Sequence, residues 1–398
     1  MYVNDHTGPN LSNEGGRMNR KGVLLILVAI GIVATLRPTT NTTAAAVNFK
    51  SGAVYVLTNQ VSNAVAAFDR APDGTLTAAG TFSTGGAGNP VAQPGDPATD
   101  PLASQGALIL SDDKQFLFAV NAGSNEISVL SIGKDALTLV DKVSSGGVRP
   151  ISLTVHENLL YVLNEGGTPN ITGFTVSDTG ELTPLPGSTR PLTAGSAADP
   201  AEVSFNPDGS LLVVTEKAAN LIDVYVVGSD GVAGPPIPNP SNGLTPFGFA
   251  FDQRNNLIVS EAVGGAPNAS AVSSYIAALN GTLDVVSASV PDMQTAACWI
   301  VITNSGRYVY TTNTGSGVAS SYTLDANGTL TLLNSVAANL GATSFPIDMA
   351  LNNSSRYLYV HAAGLQTVEA FSVAPDGSLT SIDSAGGLPL GAQGIAAR

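Results

Sequence analysis

The feature that most restricts this chain is a recurrence. A short β-branched or aromatic run comes back seven times: VYVLTN ending at Asn59, LFAVN at Asn121, LYVLN at Asn164, LVVTE at Glu216, LIVSE at Glu261, YVYTTN at Asn313 and LYVHA at Ala362. The mean spacing is about 50 residues, the period of a unit of four short strands. Residues 345–382, FPIDMALNNSSRYLYVHAAGLQTVEAFSVAPDGSLTSI, show one whole unit. An apolar strand precedes the recurring run, a third strand follows a Gly-containing turn, and a fourth follows Pro375-Asp376-Gly377. Asp-Gly or Asn-Gly recurs at that last turn in other copies (Asp73-Gly74, Asn280-Gly281, Asn327-Gly328), and such pairs accept the positive φ of tight hairpins. A lone four-stranded sheet of this size cannot bury both faces, so the copies must pack on one another. The pattern predicts an all-β, seven-bladed β-propeller.

The two ends of the repeat region are complementary. The first copy begins at Val54 with no innermost strand before it, while residues 391–398, GAQGIAAR, read as an innermost strand with nothing after it. The expected assembly has the C-terminal strand complete blade 1, which closes the ring and removes an exposed edge. One stretch breaks the cadence. Residues 85–102, GGAGNPVAQPGDPATDPL, carry too many prolines and glycines for a strand and read as a long loop between blades 1 and 2. Its Asp96 and Asp100 are expected to be solvated.

The first residues are not read as fold. From Met18, Asn19-Arg20-Lys21 precede the apolar run 22–36 and a small-residue tail at 42–46. That order describes an export signal, cleaved near Ala46 or kept as an anchor, on a run shorter than the ~20 residues a spanning helix needs. The domains are therefore 1–46, an extension plus signal, and 47–398, the propeller, in a secreted, periplasmic or envelope protein. Charged residues are 12% of the chain and the net charge is −14, with no basic stripe. Nucleic acid and anionic membrane surfaces are thus excluded as partners beyond a possible anchor. A small-molecule or envelope ligand and a monomer are expected. The single cysteine, Cys298, allows no internal disulfide and reads as a small core residue. No phosphate loop, zinc-spaced ligand set or nucleophile elbow occurs, so no metal or cofactor is expected.

In a propeller, inner-strand starts and second-strand ends meet on one face around a channel, where ligand sites form. Ligand-binding candidates are therefore Asn59, Asn121, Asn164, Glu261, Asn313 and, on an inner strand, Trp299. The simpler reading of the Asn and Glu residues is that they cap the following turns. The inner strands align at Ser152, Glu202, Gly248, Trp299 and Asp348. Folding the blade-4 hairpin about 206–209 sets Glu202 diagonal to Glu216, a pair suited to acid and base roles. The blade-7 hairpin sets Asp348 diagonal to His361, an oriented general base. These four are the catalytic candidates.

The cadence in ADPAEVSFNPDGSLLVVTEKAANLIDVY and ACWIVITNSGRYVYTTNTGSGVASSYTLDANGTLTLL resembles the lactonase-type seven-bladed propellers, among them bacterial 6-phosphogluconolactonases and fungal carboxymuconate-cyclising enzymes. The resemblance covers residues 52–398 and implies that fold and lactone hydrolysis. Active members resemble one another at a Pro-His segment of an innermost strand. The matching segment here is Asp199-Pro200-Ala201-Glu202, without a histidine, and Ala297-Cys298-Trp299 stands where an arginine-tryptophan start would be familiar. Arg149 is no evident counterpart. The implied functions are hydrolysis of an unphosphorylated lactone or ligand binding at the channel mouth; the alternative is a non-catalytic envelope scaffold.

Overall fold

A computed structural model describes residues 52–93 and 97–398. The described residues belong to the second of two units, Ala45–Arg398. The export-signal reading falls outside the described residues, as does Asp96.

The second unit is built from seven antiparallel sheets, six with four strands and one with five. The innermost strands of blades 2 to 7 are Leu108–Leu110, Val148–His156, Pro200–Phe205, Pro246–Phe251, Ala297–Ile302 and Pro346–Leu351. Blade 1 takes its innermost strand, Gln393–Ala397, from the C-terminus. That strand pairs with Ala53–Leu57 through Val54↔Ala397, Tyr55↔Ala396 and Val56↔Ile395. The expected closure is therefore observed. The fifth strand of blade 3 arises because its outer strand is split into Leu182–Pro184 and Arg190–Pro191 around a proline-containing turn.

The second strands are buried on both faces because each blade is sandwiched between two others. Their tyrosines carry one polar atom into that core, and it needs a partner. Tyr161, Tyr310 and Tyr359 donate their hydroxyls to Gly231, Gly377 and Gly74 O, each in the outer turn of the following blade (2.8, 2.8 and 3.0 Å). At Gly74 and Gly377, φ is +92° and +83°, and a Cβ would lie 2.4 Å from the ring of Tyr357 or Tyr308. The turn glycine thus serves the hairpin and the blade interface together.

Every innermost strand except the three-residue strand of blade 2 is interrupted where it meets the end of the second strand; in blade 1 the shift lies between Ile395 and Gln393, opposite Val56 and Leu57. Register shifts fall between Pro150 and Ser152, Pro200 and Glu202, Pro246 and Phe249, Ala297 and Ile300, and Pro346 and Met349. Such bulges re-aim side chains, and here they set what faces the channel.

Candidate functional site

Ser152 pairs with Leu163 and Glu202 with Thr215, both just beyond the register shift. The bulge brings the Glu202 carboxyl toward the axis, where Oε2 accepts the Phe249 N–H of the next blade at 2.6 Å. Asp348 holds the matching place in blade 7, and both carboxyls line one cavity of about 270 Å³. Glu202 is 6% exposed and Asp348 4%. Burial pushes the Glu202 carboxyl well above the usual range, and the nearby Asp348 pushes it further. Asp348 is likewise raised by burial and then by Asp100, against opposing N–H groups from Met349, Ile395 and Gly106. Two acids this deeply buried thus favour their neutral forms.

The segment that ends the long loop, residues 97–105, lies across the channel at the face where inner strands start. Its carbonyls are held by donors from three blades. Arg149 Nη2 donates to Pro101 O at 2.5 Å, Lys217 Nζ to Ala103 O at 2.8 Å, and Trp299 Nε1 to Ser104 O at 3.2 Å. Arg149 is also paired with Glu165 at 2.6 Å, and Lys217 with Asp199 at 3.2 Å. Gln105 then crosses the axis. Its Oε1 accepts Ile300 N–H at 3.0 Å, and its Nε2 donates to Phe249 O and Ile300 O at 3.3 and 3.1 Å. Leu102, Ala103 and Ser104 are buried, and so is Asp100, whose Oδ1 accepts the Ala103 N–H at 3.1 Å. The expectation of a solvated Asp100 is corrected: the segment enters the channel because it replaces the start of blade 2's inner strand, which is only three residues long. The cavity lies beyond Gln105. Its second lobe, about 440 Å³, shares Gln105, Glu202 and Ser204 with the first. Asp112, Pro207, Gln253 and Asn304 line it on the turns that join inner to second strands, so it opens at the opposite face.

The expected pairs do not form. Glu216 faces Pro200 across the register shift and turns outward, where it accepts the Ala194 N–H at 3.1 Å. Burial and Asp223 raise its pKa to about 8. Asp223 in turn is held by the Thr193 hydroxyl and N–H at 2.7 and 2.8 Å. Glu202 and Glu216 therefore belong to different networks, a correction that the bulge explains. The Asp348–His361 dyad is corrected for the same reason. His361 is fully buried with both ring nitrogens lacking hydrogen-bond partners, and burial alone lowers its pKa to about 3.

The six residues at second-strand ends line neither lobe of the cavity. Asn59 donates to Asn89 O and Gly391 O at 2.9 and 3.2 Å, which ties the long loop to the ring closure. Asn121 accepts from Thr84 and Asn63 and donates to Ser128 (2.7, 2.9 and 2.7 Å). Asn164 donates to Ser145 O at 3.3 Å, and Asn313 to Ser320 Oγ at 2.8 Å. Glu261 accepts the Gly243 N–H at 3.0 Å and the Ser273 hydroxyl. Trp299 sits beneath the loop, its ring 5.2 Å from that of Phe247. Burial pushes the Cys298 thiol up to about 12. Among the described residues, no group of three or more His, Cys, Asp or Glu side chains is placed to hold a metal ion. Gln105 and Ser204, which line both lobes, are among the cavity residues that reasoning from the sequence missed; neither breaks the alternation around it.

Seven blades around a channel, with a buried pair of carboxyls inside it, define a seven-bladed β-propeller with a polar axial site. The family described as "Lactonase, 7-bladed beta-propeller" matches residues 46–192 and 268–389, and the chain belongs to it. No curated protein matches the sequence. A putative 6-phosphogluconolactonase from Bacteroides uniformis superposes with a TM-score of 0.64 at 17% identity, covering 86% of this chain and 98% of that one. The periplasmic gluconolactonase PpgL of Pseudomonas aeruginosa gives 0.63 at 16% identity, covering 86% and 98%. A functionally unknown protein from Desulfotomaculum acetoxidans gives 0.64 at 13%, covering 87% and 98%. At these identities the likeness is one of fold.

Proposed function

We propose that this propeller hydrolyses an unphosphorylated lactone in the axial cavity, with Glu202 and Asp348 as its proton-handling groups. The observation that carries this reading is that both carboxyls, raised by burial, line a single cavity open to one face. Lactone hydrolysis adds water to the ring carbonyl, breaks the ring C–O bond and returns a proton to the leaving alkoxide. A neutral acid beside the carbonyl supplies that proton, and the second carboxyl, once ionised, takes one from water. Glu202 is suited to the acid role because burial raises its carboxyl against the opposing Phe249 N–H, which fixes the position of Oε2. Among the described residues no Lys or Arg lines either lobe, so a phosphate would go uncompensated there, which supports an unphosphorylated substrate. The N-terminal sequence and the periplasmic neighbour support an envelope location. We take the protein as a monomer that needs no cofactor for this step.

A second reading, ligand binding without turnover, is favoured by one observation: among the described residues no histidine lines the cavity. A panel of sugar and aliphatic lactones, followed by acid release at constant pH, separates the two. Turnover of an unphosphorylated member supports the hydrolase. Saturable binding with no acid release on any member supports the binder.

A further inference from the structure

The same face that opens the cavity carries grooves between neighbouring blades, and two of them invite comparison. Between blades 2 and 3 the groove is about 450 Å³ and is lined by Asp112, Asp113, Glu157 and Asp178, with no Lys or Arg. The corresponding groove between blades 6 and 7, about 500 Å³, reverses this. It is lined by Arg307 and Arg356 with several hydroxyl side chains and has no Asp or Glu. The repeat makes the first groove a comparison for the second: the corresponding turns supply the walls, with the blade-3 turn, 157–158, shorter than the blade-7 turn, 352–356. In a chain with 16 Lys and Arg against 30 Asp and Glu, two arginines facing one space without a carboxylate stand apart.

The walls of this groove are fixed. Asn304 donates its N–H to Ser355 Oγ at 2.9 Å and its side-chain amide to Asn353 O at 2.6 Å, which joins the turns of the two blades. The Tyr308 hydroxyl donates to Pro375 O at 3.0 Å and ties in the outer turn of blade 7. Arg307 stands over the Tyr308 ring, 5.4 Å from its centroid. The Arg356 N–H is held by Asn352 Oδ1 at 3.0 Å. Among the described residues neither guanidinium takes part in an ion pair. Asp376, beside Pro375, is committed to its own turn, where it accepts the Ser378 N–H and hydroxyl at 3.0 and 2.7 Å.

We propose that the groove between blades 6 and 7 is a binding site for a small oxyanion, gripped by Arg307 and Arg356. Two guanidinium groups around one space offer planar, paired donors, the arrangement that suits carboxylate, sulfate and phosphate. The hydroxyls of Ser305 and Ser354 line the same space and add neutral donors. The site is distinct from the lactone reading: neither Glu202 nor Asp348 lines it, and Asn304 is the one residue it shares with the cavity.

The test is a calorimetric titration of the full chain with inorganic phosphate, sulfate and glucuronate, each against sodium chloride at matched ionic strength. The three arms distinguish a phosphate, a sulfate and a sugar-acid source. The expected result is saturable binding of at least one anion, weakened about tenfold by Arg307→Gln or Arg356→Gln, as loss of a charge-assisted contact implies. Binding should be lost in the double variant and kept in Glu202→Gln. Both arginines are exposed, so the variants should fold. Absence of saturable binding for all three anions, a response that chloride reproduces, or full binding in the double variant would overturn the proposal.

Discussion

The Tyr359 hydroxyl of blade 7 donates to the Gly74 carbonyl of blade 1 at 3.0 Å. This contact spans the seam where the ring's first and last blades meet, beside the pairing of residues 393–397 with Ala53–Leu57. Removing the hydroxyl leaves Gly74 O unpaired in a buried interface. Tyr359→Phe is expected to lower stability by about 1 kcal/mol. Gly74→Ala is expected to cost more, because a Cβ at φ +92° would sit 2.4 Å from the Tyr357 ring. Urea unfolding of both variants checks the order. Equal midpoints for wild type and Gly74→Ala would contradict it.

The long loop should be a structural part of the channel. Gln105→Ala removes three hydrogen bonds and leaves the Ile300 N–H without its partner. A loss of about 1–3 kcal/mol is expected. The same change should admit reagents to Cys298, which is 6% exposed in the intact protein. Thiol labelling should be slow in wild type and faster in the variant; identical rates would show that the loop does not seal that face.

Glu216 should give the protein a pH-dependent stability. Its pKa is about 8 in the fold, raised by burial and by Asp223 from 4.5. The folded state therefore holds the proton more tightly than the unfolded chain. Stability is greatest below the unfolded pKa and falls as pH rises from about 4.5 to about 8. Glu216→Gln should flatten that decline. Glu202 and Asp348, raised in the same direction, leave a residual slope. Thermal midpoints from pH 4 to 9, with and without the substitution, test the sign.

The fold could be read because the chain states it seven times. Turn pairs such as Asp376-Gly377, the aromatic and β-branched run at 357–362 and the unmatched strand at 391–398 all ask for one ring, and they agree. The site could be read only residue by residue. Glu202 and Asp348 stood out as charges on apolar inner strands, and both line the cavity. Their assigned partners did not follow, because a regular hairpin was assumed where bulges occur at Pro200/Glu202 and Pro346/Met349. A one-residue slip turns a side chain to the other face, and nothing in the alternation marks it. The loop was misjudged for another reason. Its prolines and glycines look like surface chain, and only Leu102-Ala103, apolar beside Asp100, hinted at burial.

On the proposed function, Glu202 and Asp348 share the handling of protons in the axial cavity. The direct measurement is the pH dependence of kcat/KM for the best lactone substrate, in wild type, Glu202→Gln and Asp348→Asn. Wild type should show an optimum shifted above the ordinary carboxylate range, because burial raises both groups. Each substitution should lower kcat by about 10²–10⁴-fold, the usual worth of a positioned acid or base, and remove one limb of the profile. A Glu202→Gln variant with undiminished turnover and an unchanged profile would contradict it.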